Sequence, residues 1–579
     1  MKIKKKYMIL AIVIIVVLGI IFYHNLERRY EPQGEALDIF VENYAGCSGY
    51  TQQENGSFVV NGDDPQLYLR GTNGQSIGYG VIGGLELQFA SYSGQARNSL
   101  PIQVFYAKEG EGYTEKHSIK TAVYKGIYKG RITCLIPLPI GEYAMLRLDI
   151  DGDFQLQNII AYTGEMQSHL YVSHRTVQNC LLYFPVAIIG CCLIFWAHCV
   201  RMRENRAGFK AYAMTVLFGT RPNKGREVHL DYLRILAAVL VILAHACSPM
   251  VELAEQEWKQ LLLIGGLSLG LCCNVIYVML SGTLLLSPKT SKEESVASFY
   301  SKRASRVIIP LAAYYLLLLS LNHEVRFLPP EHLGSALKRV VTGAPDAAPH
   351  LWLIYTIVAL YLAAPFFRIM MQHLSDKMLF SLAVMILVLN ILTTYLPLFG
   401  MAFGPVSFLA GWDGVFLIGY ILTRHNEKRG YDKRSRLIMA AAVISYIAMI
   451  VIVFIDTGYM NYVYNNAPTM IFTSCGIFIF FLKRKNWFAN KSNFVMRLFS
   501  KYSYSIILIH WYVLFVIVQG KLHITALRFG CIGGIAATVV LTFLICLFLA
   551  VIFDNTVVIV CNVLFDKAVK AAKRITSTE

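Results

Sequence analysis

The chain has 579 residues, 56% of them hydrophobic, and a mean hydropathy of +0.50, which soluble domains do not sustain over this length. Its formal net charge of +17 would suggest nucleic acid as the partner of a soluble protein, but the basic residues cluster between apolar segments, as helix orientation in a membrane requires. The composition therefore indicates a polytopic membrane protein, with membrane lipids and no nucleic acid among its partners.

The N-terminus joins a basic run, MKIKKK, to an apolar run, YMILAIVIIVVLGIIFY. The apolar run is not followed by the small-x-small cleavage site of a secretory signal peptide. We therefore predict an uncleaved transmembrane anchor over residues 1–25, with its basic end in the cytoplasm.

Residues 26–172 follow a different pattern. Apolar and polar residues alternate with a period of two in LELQF at 85–89 and LRLDID at 146–151, and Gly-rich turns such as GTNG at 71–74 separate the runs. Short alternating strands at this spacing predict an all-β sandwich or jelly roll. Because the region follows the first crossing, we place it outside the cytoplasm. An oxidising environment would let Cys47 and Cys134 form a disulfide there, a pairing that the sequence leaves open.

Two groups of residues in the sequence are candidate metal ligands. Asp149, Asp151 and Asp153 have a spacing that suggests calcium, but the loop lacks the remaining ligand pattern, so a solvated turn is favoured. Eleven of the thirteen cysteines, from Cys180 onward, lie in or beside apolar segments without metal-ligand spacing. They are predicted to be packing residues, and no metal site is expected.

The second half of the chain is mostly apolar. Residues 173–229 hold a second crossing at 181–200 and a linker with seven Lys or Arg residues, which predicts a cytoplasmic linker. Beyond it, ten segments reach spanning length, centred near Val239, Asn274, Ala313, Val358, Leu387, Val415, Ser445, Ser474, Val513 and Val539. We therefore predict about twelve transmembrane helices, ten of them in a core over residues 230–553. Residues 554–579 would form a cytoplasmic tail with a surface-lying helix.

Arg234 and His245 are 11 positions apart, so their side chains leave the same face of one helix. The rise between them is about 16 Å, which puts the arginine at the membrane surface and the histidine near mid-depth. A histidine there is suited to act as a general base, because its ordinary pKa of about 6.5 is close to the operating pH. A core histidine bonded to a backbone carbonyl of a neighbouring helix is an equal alternative. Asp231, three residues before Arg234, would hold the arginine by a charge-assisted hydrogen bond.

Arg303 and Arg306 lie three positions apart at the start of a predicted helix. The positive end of the helix dipole adds to their charge, which makes an anion site for a phosphate-bearing donor such as acyl-CoA. Taken alone, the pair is better explained as a positive-inside anchor, and Lys302 serves topology in the same way.

Three further polar residues fall in apolar segments. Asp413 is interpreted first as a contact between helices and second as a proton relay. His350 is placed at the outer end of its helix, where an acceptor contact and an interfacial cap are equal alternatives. His510 is interpreted as a packing residue in the inner half of its helix.

Five motifs in order resemble the acyltransferase 3 family, the integral-membrane O-acyltransferases of cell-surface glycans. DYLRILAAVLVILAH at 231–245 fits the family's first helix, in which ten residues separate an Arg from a His. The other four are YVMLSG at 277–282, FYSKRASRVIIP at 299–310, HLW at 350–352 with Tyr361 and Pro365, and Ser503-Tyr504 followed by His510. The resemblance covers roughly residues 230–550 and favours the donor interpretation of Arg303 and Arg306.

The resemblance implies transfer of an acetyl or other short acyl group from acyl-CoA (acetyl-CoA) to a hydroxyl of a surface polysaccharide or lipid-linked glycan. Arg303 and Arg306 would bind the donor together with Arg234, and His245 would activate the hydroxyl or relay the acyl group. His350 and Trp352 would contact the acceptor. The protein is expected in the plasma membrane, with both termini in the cytoplasm and the β-region outside the cell. A flippase of a lipid-linked glycan and a sugar-sensing receptor are the alternatives.

Overall fold

The structure is a computed structural model. It describes residues 2–39, 44–62, 64–69, 81–94, 99–108, 110–124, 132–206, 208–219, 227–287, 295–322, 326–327, 330–343, 348–401, 408–430 and 432–576. The predicted turn at 71–74 and the end of the basic linker at 220–226 lie outside the described residues. The chain divides into two compact units, Met1–Ile188 and Ile189–Glu579.

The first unit contains one complete long helix and thirteen strands, and the next long helix of the chain begins within it. The helix is α1 (Lys2–Asn25). The strands are β1 (Glu27–Glu31), β2 (Ala36–Ile39), β3 (Tyr44–Ser48), β4 (Tyr50–Gln52), β5 (Phe58–Val60), β6 (Gln66–Leu69), β7 (Val81–Gly94), β8 (Ser99–Ala107), β9 (Ser118–Tyr124), β10 (Ile132–Glu142), β11 (Met145–Ile150), β12 (Gly152–Tyr162) and β13 (Gln167–Tyr171).

Two antiparallel sheets enclose one apolar core. One has the order β10-β7-β12-β5-β4 with β2 beside β12, and the other has the order β3-β6-β11-β8-β9. The predicted alternation holds: Leu146, Leu148 and Ile150 of β11 are fully buried and pack in one cluster with Leu85 and Leu87 of β7. β1 and β13 pair as a separate antiparallel ribbon. The all-β character of this region is confirmed.

The polar residues singled out in the β-region have local partners. Cys47 lies on β3 and Cys134 on β10, in different sheets, and both are free thiols. Burial raises the pKa of the Cys134 thiol to about 11. Asp149 forms an ion pair with Arg147 at 2.7 Å, and an Asp153 oxygen accepts a hydrogen bond from the Val60 amide at 2.9 Å.

The second unit is helical. α2 (His174–Glu204) enters it from the first unit. The remaining elements are α3 (Phe209–Tyr212), α4 (Val228–Cys247), α5 (Glu257–Leu286), α6 (Val296–Arg303), α7 (Ile309–Leu321), the two-residue strands β14 (Arg326–Phe327) and β15 (Pro330–Glu331), α8 (Leu333–Thr342), α9 (Trp352–His373), α10 (Asp376–Tyr395), α11 (Trp412–Arg429), α12 (Lys433–Ile455), α13 (Met460–Val463), α14 (Pro468–Lys483), α15 (Lys485–Ala489), α16 (Phe494–Tyr512), α17 (Cys531–Phe553) and α18 (Ile559–Thr576).

Ten helices of the described chain are long and apolar enough to cross a membrane, or eleven if the bent pair Thr457–Val463 and Pro468–Lys483 is one span. The prediction of about twelve is thus not confirmed. The segment predicted around Val415 is α11, whose last two turns carry Arg424, Glu427, Lys428 and Arg429, too many charges for a hydrocarbon core.

The helix at the C-terminus is longer than predicted. α17 continues through a π-helical segment, Asp554–Val558, into α18, and Cys531–Arg574 forms one continuous candidate span. The predicted boundary at residue 554 therefore falls inside a helix. α18 packs against α2, where Lys570 bonds Glu204 at 2.8 Å and the Lys567 ammonium lies 4.5 Å from the centre of the Trp196 ring.

Close helix contacts surround α5. A Cβ at Gly282 would collide with the Phe416 carbonyl of α11, and one at Gly419 of α11 would collide with the Met279 carbonyl. A Cβ at Gly270 would likewise strike the backbone of Ala244 on α4. Small residues at these three positions let the backbones of α4, α5 and α11 pack directly against each other.

Candidate active site

One end of α4 holds a buried carboxylate. Asp231 is 6% exposed, and its Oδ1 accepts hydrogen bonds from Arg234 Nη1 at 3.1 Å and from the Ser500 hydroxyl of α16 at 2.7 Å. The contact that the sequence predicted between Asp231 and Arg234 is present. The Arg234 side chain is 31% exposed, so its other N–H groups are accessible to a ligand. We call this the arginine end of the helical unit.

The motif at 277–282 packs α5 against its neighbours. The Tyr277 hydroxyl donates to the Arg234 carbonyl at 3.2 Å, and the Ser281 hydroxyl lies 3.3 Å from that of Tyr361 on α9. Gly282 permits the contact with α11 described above. These residues position helices that hold the site.

Arg303 and Arg306 have different surroundings. The Arg303 guanidinium lies 5.0 Å from the centre of the Phe299 ring, whereas Arg306 is exposed. A π-helical segment, Ala304–Ile308, begins directly after Arg303, so the two residues are not neighbours on a regular helix face as predicted. Tyr504 connects this segment to α16, because its hydroxyl donates to the Val307 carbonyl at 3.1 Å. Arg303 shares the Phe299 ring with Arg368, and Arg368 bonds Leu285 near the end of α5 that follows Tyr277, the partner of the Arg234 carbonyl. These contacts place Arg303 at the arginine end.

Arg368 of α9 joins the same end. Its guanidinium lies 5.2 Å from the centre of the Phe299 ring, and its Nε donates to the Leu285 carbonyl at 2.7 Å. The residue is 8% exposed. Arg368 was not among the predicted site residues, although it is an ionisable residue inside the apolar run FFRIM of a spanning segment, and such residues indicate function.

His245 lies in the last turn of α4, at the end opposite to Arg234. The α-helix ends two residues later at Cys247 and continues as a 3-10 turn to Met250. The depth of His245 in the membrane stays a prediction. The ring stacks on that of His510 with centres 5.3 Å apart and meets the edge of Trp511 at 4.9 Å. We call this the histidine end.

His350 completes this cluster. It lies in the 3-10 turn Pro349–Leu351 that leads into α9, with its ring centre 5.0 Å from that of His510 and 5.7 Å from that of Trp511. Its Nε2 donates to the Leu508 carbonyl of α16 at 3.1 Å. The alternative for His245 was a hydrogen bond to a backbone carbonyl of a neighbouring helix. His350 makes such a bond. His510, interpreted from the sequence as a packing residue, lies at the centre of three histidine rings.

Two buried ring nitrogens of this cluster lack hydrogen bonds. His510 Nδ1 donates to the Ile507 carbonyl at 2.6 Å, which leaves a lone pair on Nε2, and the His350 bond to Leu508 leaves one on Nδ1. Neither lone pair has a partner within the described part of the chain. A buried acceptor without a hydrogen-bond donor costs free energy. A ligand that donates a hydrogen bond to these nitrogens is therefore favoured. His245 is half-buried and therefore accessible to a ligand, whereas His350 and His510 are buried.

Trp352 and Asp413 lie outside the cluster. Trp352 is 43% exposed and packs against Trp412, with ring centres 5.6 Å apart. Asp413 is in the first turn of α11, where its carboxylate accepts from the Leu409 amide at 2.7 Å. It stabilises a local turn in which Leu409 has a φ of 66°. Asp413 therefore makes a contact within this turn and not the predicted contact between helices.

Asp554 is a second acid that the sequence analysis did not assign to the site. Its two carboxylate oxygens accept hydrogen bonds from Tyr314 of α7 at 2.9 Å and from Ser505 of α16 at 2.6 Å. Ser505 is midway along α16 between Ser500 at the arginine end and His510 at the histidine end. Asp554 therefore links α7 and α16 to the C-terminal helix between the two ends. The sequence predicted that the cytoplasmic tail with its surface-lying helix begins at this residue.

The two ends of α4 cannot contact the same small group. Eleven residues separate Arg234 from His245, a rise of about 16 Å. One end offers guanidinium groups, which bind phosphates in a planar fork. The other offers imidazoles, which accept and return protons near neutral pH. A ligand that uses both ends is elongated and anionic at one terminus.

A family model described as an acyltransferase domain, that of acyltransferase 3, matches residues 227–553, more than half of the chain. The match includes Asp231, Arg234, His245 and the other motifs named above, and it ends one residue before Asp554. No curated protein matches the chain.

Proposed function

The chain belongs to the acyltransferase 3 family and is a multi-pass membrane acyltransferase, and we propose that it moves an acetyl or other short acyl group from acyl-CoA to a hydroxyl of an envelope glycan. The observation that carries this proposal is the arrangement on α4. Cationic groups gather at one end, and three histidines from three elements meet at the other.

The donor is acyl-CoA, with its phosphates at the arginine end. Arg234, Arg303, Arg306 and Arg368 supply positive charge there, and Asp231 fixes the orientation of Arg234. The arm of acyl-CoA carries its thioester at the far terminus from its phosphates. A separation of about 16 Å between the two ends of the site suits such a molecule.

His245 is the general base in this mechanism. Its imidazole takes the proton from the acceptor hydroxyl while the oxygen attacks the thioester carbonyl. The new C–O bond forms, the C–S bond breaks, and the CoA thiolate leaves and takes up a proton, which the imidazolium can return. Stacking against His510 and the edge contact with Trp511 hold the His245 ring in one orientation.

The sides of the membrane follow from charge. Basic residues flank the start of α4 and predict that the arginine end faces the cytoplasm, where acyl-CoA is made. The histidine end and the β-region then face outward, toward the glycan. In this arrangement the acyl group crosses the membrane through the protein, and both termini of the chain are cytoplasmic.

Purified full-length protein in lipid nanodiscs tests the proposal. The substrates are labelled acetyl-CoA and envelope glycan from cells that lack the gene. We expect label to appear on the glycan together with one CoA released per acyl group. A flippase or a sugar receptor would leave acetyl-CoA intact, and that result would reject the enzyme.

A further inference from the structure

A polar cavity lies between α10, the turn before α11, and the segment that joins α12 to α14. Its volume is about 410 Å³, within the range of small-ligand sites. Six of the residues that line it have polar side chains: Thr393, Thr394, Asn461, Tyr462, Asn465 and Asn466.

The lining of this cavity combines polar and apolar groups without a charged side chain among its described residues. Among the described residues, none of those that line it is Asp, Glu, Lys, Arg or His. The side chains of Asn461, Tyr462 and Asn465 make no hydrogen bond within the described part of the chain. Each Asn amide offers two donor hydrogens and an acceptor oxygen, and the tyrosine hydroxyl offers both functions. The complementary ligand is neutral and rich in hydroxyl groups. The phosphates of acyl-CoA would find no cation here.

The cavity wall is held by its own hydrogen bonds. Asn466 Nδ2 donates to the Ala410 carbonyl at 2.9 Å, which ties the segment after α13 to the turn before α11. Thr469 donates to the Val463 carbonyl at 2.8 Å across the start of α14. The site is therefore pre-formed, which lowers the entropy cost of binding.

The cavity lies across α5 from α4, at the level of the histidine end. Tyr464 lines the cavity, and its hydroxyl lies 2.9 Å from that of Ser268 on α5. Ser268 is flanked by Gly266, which packs on Cys247, and Gly270, which packs on Ala244. Ser268 is about 200° of helix rotation from each of these glycines, so Tyr464 contacts the face of α5 opposite to α4, at the same level as His245.

A second connection runs through two tryptophans. Trp412 directly follows the lining residue Gly411, and its ring lies 5.6 Å from that of Trp352. Trp352 is two residues after His350, a member of the histidine cluster, and is 43% exposed. The two tryptophans therefore connect the turn that lines the cavity to the start of α9, which follows His350. Flat aromatic rings with a polar edge suit a ligand that is apolar on one face and polar at its rim.

We infer that this cavity is an acceptor subsite and binds a neutral sugar residue of the glycan, at a distance along the glycan from the residue that is acylated at His245. The inference rests on the proposed function for the identity of the acceptor. The amides of Asn461 and Asn465 and the Tyr462 hydroxyl bind ring hydroxyls, and Trp352 and Trp412 cover the adjoining part of the chain of sugars.

The test is equilibrium binding to full-length protein in nanodiscs. The probe is deacylated oligosaccharide released from the envelope of cells lacking the gene, with a fluorescent end label. The variant combines Asn461→Ala with Tyr462→Phe, which removes hydrogen-bonding groups and leaves the backbone unchanged. Asn486→Ala is the matched control, because Asn486 is exposed on α15, away from the cavity.

We expect the double variant to weaken oligosaccharide binding about tenfold, while the control and the affinity for acetyl-CoA stay unchanged. Wild-type protein that does not bind the probe, or a double variant that binds as well as wild type, overturns the inference. An equal loss of acetyl-CoA binding also overturns it, because the cavity would then not be specific for the acceptor. If the variant loses binding but wild type transfers no acyl group, the sugar site stands and the proposed enzyme function fails.

Discussion

Among single residues, the charged groups lie at one end of α4 and the aromatic histidine rings lie at the other. Asp231 and Arg234 bond to each other at one end of α4, and His245 stacks on His510 at the other. The proposed chemistry depends on this separation, because phosphate binding and proton transfer need different surroundings. Residues at each end should consequently affect different kinetic constants.

Arg306→Lys should raise the KM for acyl-CoA roughly tenfold with a much smaller change in kcat. Lysine keeps the charge but loses the planar fork that binds phosphate in two places. A contact that stabilises the ground state and the transition state equally raises KM when it is lost and leaves kcat unchanged. Steady-state kinetics with varied acetyl-CoA provide the measurement.

Arg436→Lys is the control, because Arg436 is exposed in the basic first turn of α12. If both variants have wild-type donor kinetics, Arg306 acts only as a positive-inside anchor. The arginine end would then bind its anion through Arg234, Arg303 and Arg368.

His510→Phe should lower kcat about ten- to a hundredfold, the range that a small misplacement of a catalytic group produces. Phenylalanine preserves the aromatic packing against His245 but removes both ring nitrogens. Since a buried lone pair without a donor is also removed, thermal stability should be equal or higher. Full activity in a stable His510→Phe protein would show that His510 only packs.

The sequence predicted local features of the site better than contacts between helices. The Asp231–Arg234 bond follows from a spacing of three on one helix, which can be read directly. The stacking of His245 on His510 joins residues 265 positions apart, and no spacing predicts it. Arg368 and Asp554 stood in apolar surroundings that could have identified them.

At the scale of the element, backbone contact between helices sets the geometry of the site. α5 packs on α4 through Gly270 and on α11 through Gly282, and its Tyr277 bonds the Arg234 carbonyl. A change that moves α5 should therefore affect both ends of α4.

Gly282→Ala should destabilise the protein by about 1–3 kcal/mol, the usual cost of overpacking. The new methyl group would collide with the Phe416 carbonyl, which belongs to a backbone and cannot rotate away. Gly190→Ala is the control: nothing lies within 4 Å of a Cβ there, and alanine favours the helix by up to about 1 kcal/mol. Thermal unfolding in detergent compares the two, and equal midpoints would contradict the packing described for α5.

Periodicity and hydropathy located the elements, but not their irregularities. The period of two at 146–151 corresponds to β11, and most apolar segments are helices. The π-helical segments after Arg303, Tyr512 and Phe553 depend on packing between helices, so a single-helix pattern does not reveal them. The helix continues past Asp554 because Tyr314 and Ser505 supply partners for a carboxylate that would otherwise end an apolar run.

At the scale of the whole molecule, the β-region has a core of its own. The two sheets enclose one cluster of buried apolar residues, and the β1–β13 ribbon brings the two ends of the region together. A fragment of residues 27–171 should therefore fold as a soluble protein without the flanking helices. Circular dichroism should show mainly β-structure with a cooperative thermal transition, and a helical or unfolded spectrum would contradict this expectation.

The central claim concerns the helical unit: His245 activates a glycan hydroxyl for acyl transfer. The most direct measurement is mass spectrometry of envelope glycans from cells without the gene and from the same cells carrying wild-type, His245→Ala or His373→Ala protein at matched membrane levels. His373 is an exposed histidine in the last turn of α9 and serves as the control. We predict acyl groups on the glycan with wild type and His373→Ala, and a loss of about 100- to 10,000-fold with His245→Ala. Glycans that carry the same acyl groups without the gene, or with His245→Ala, would contradict the account.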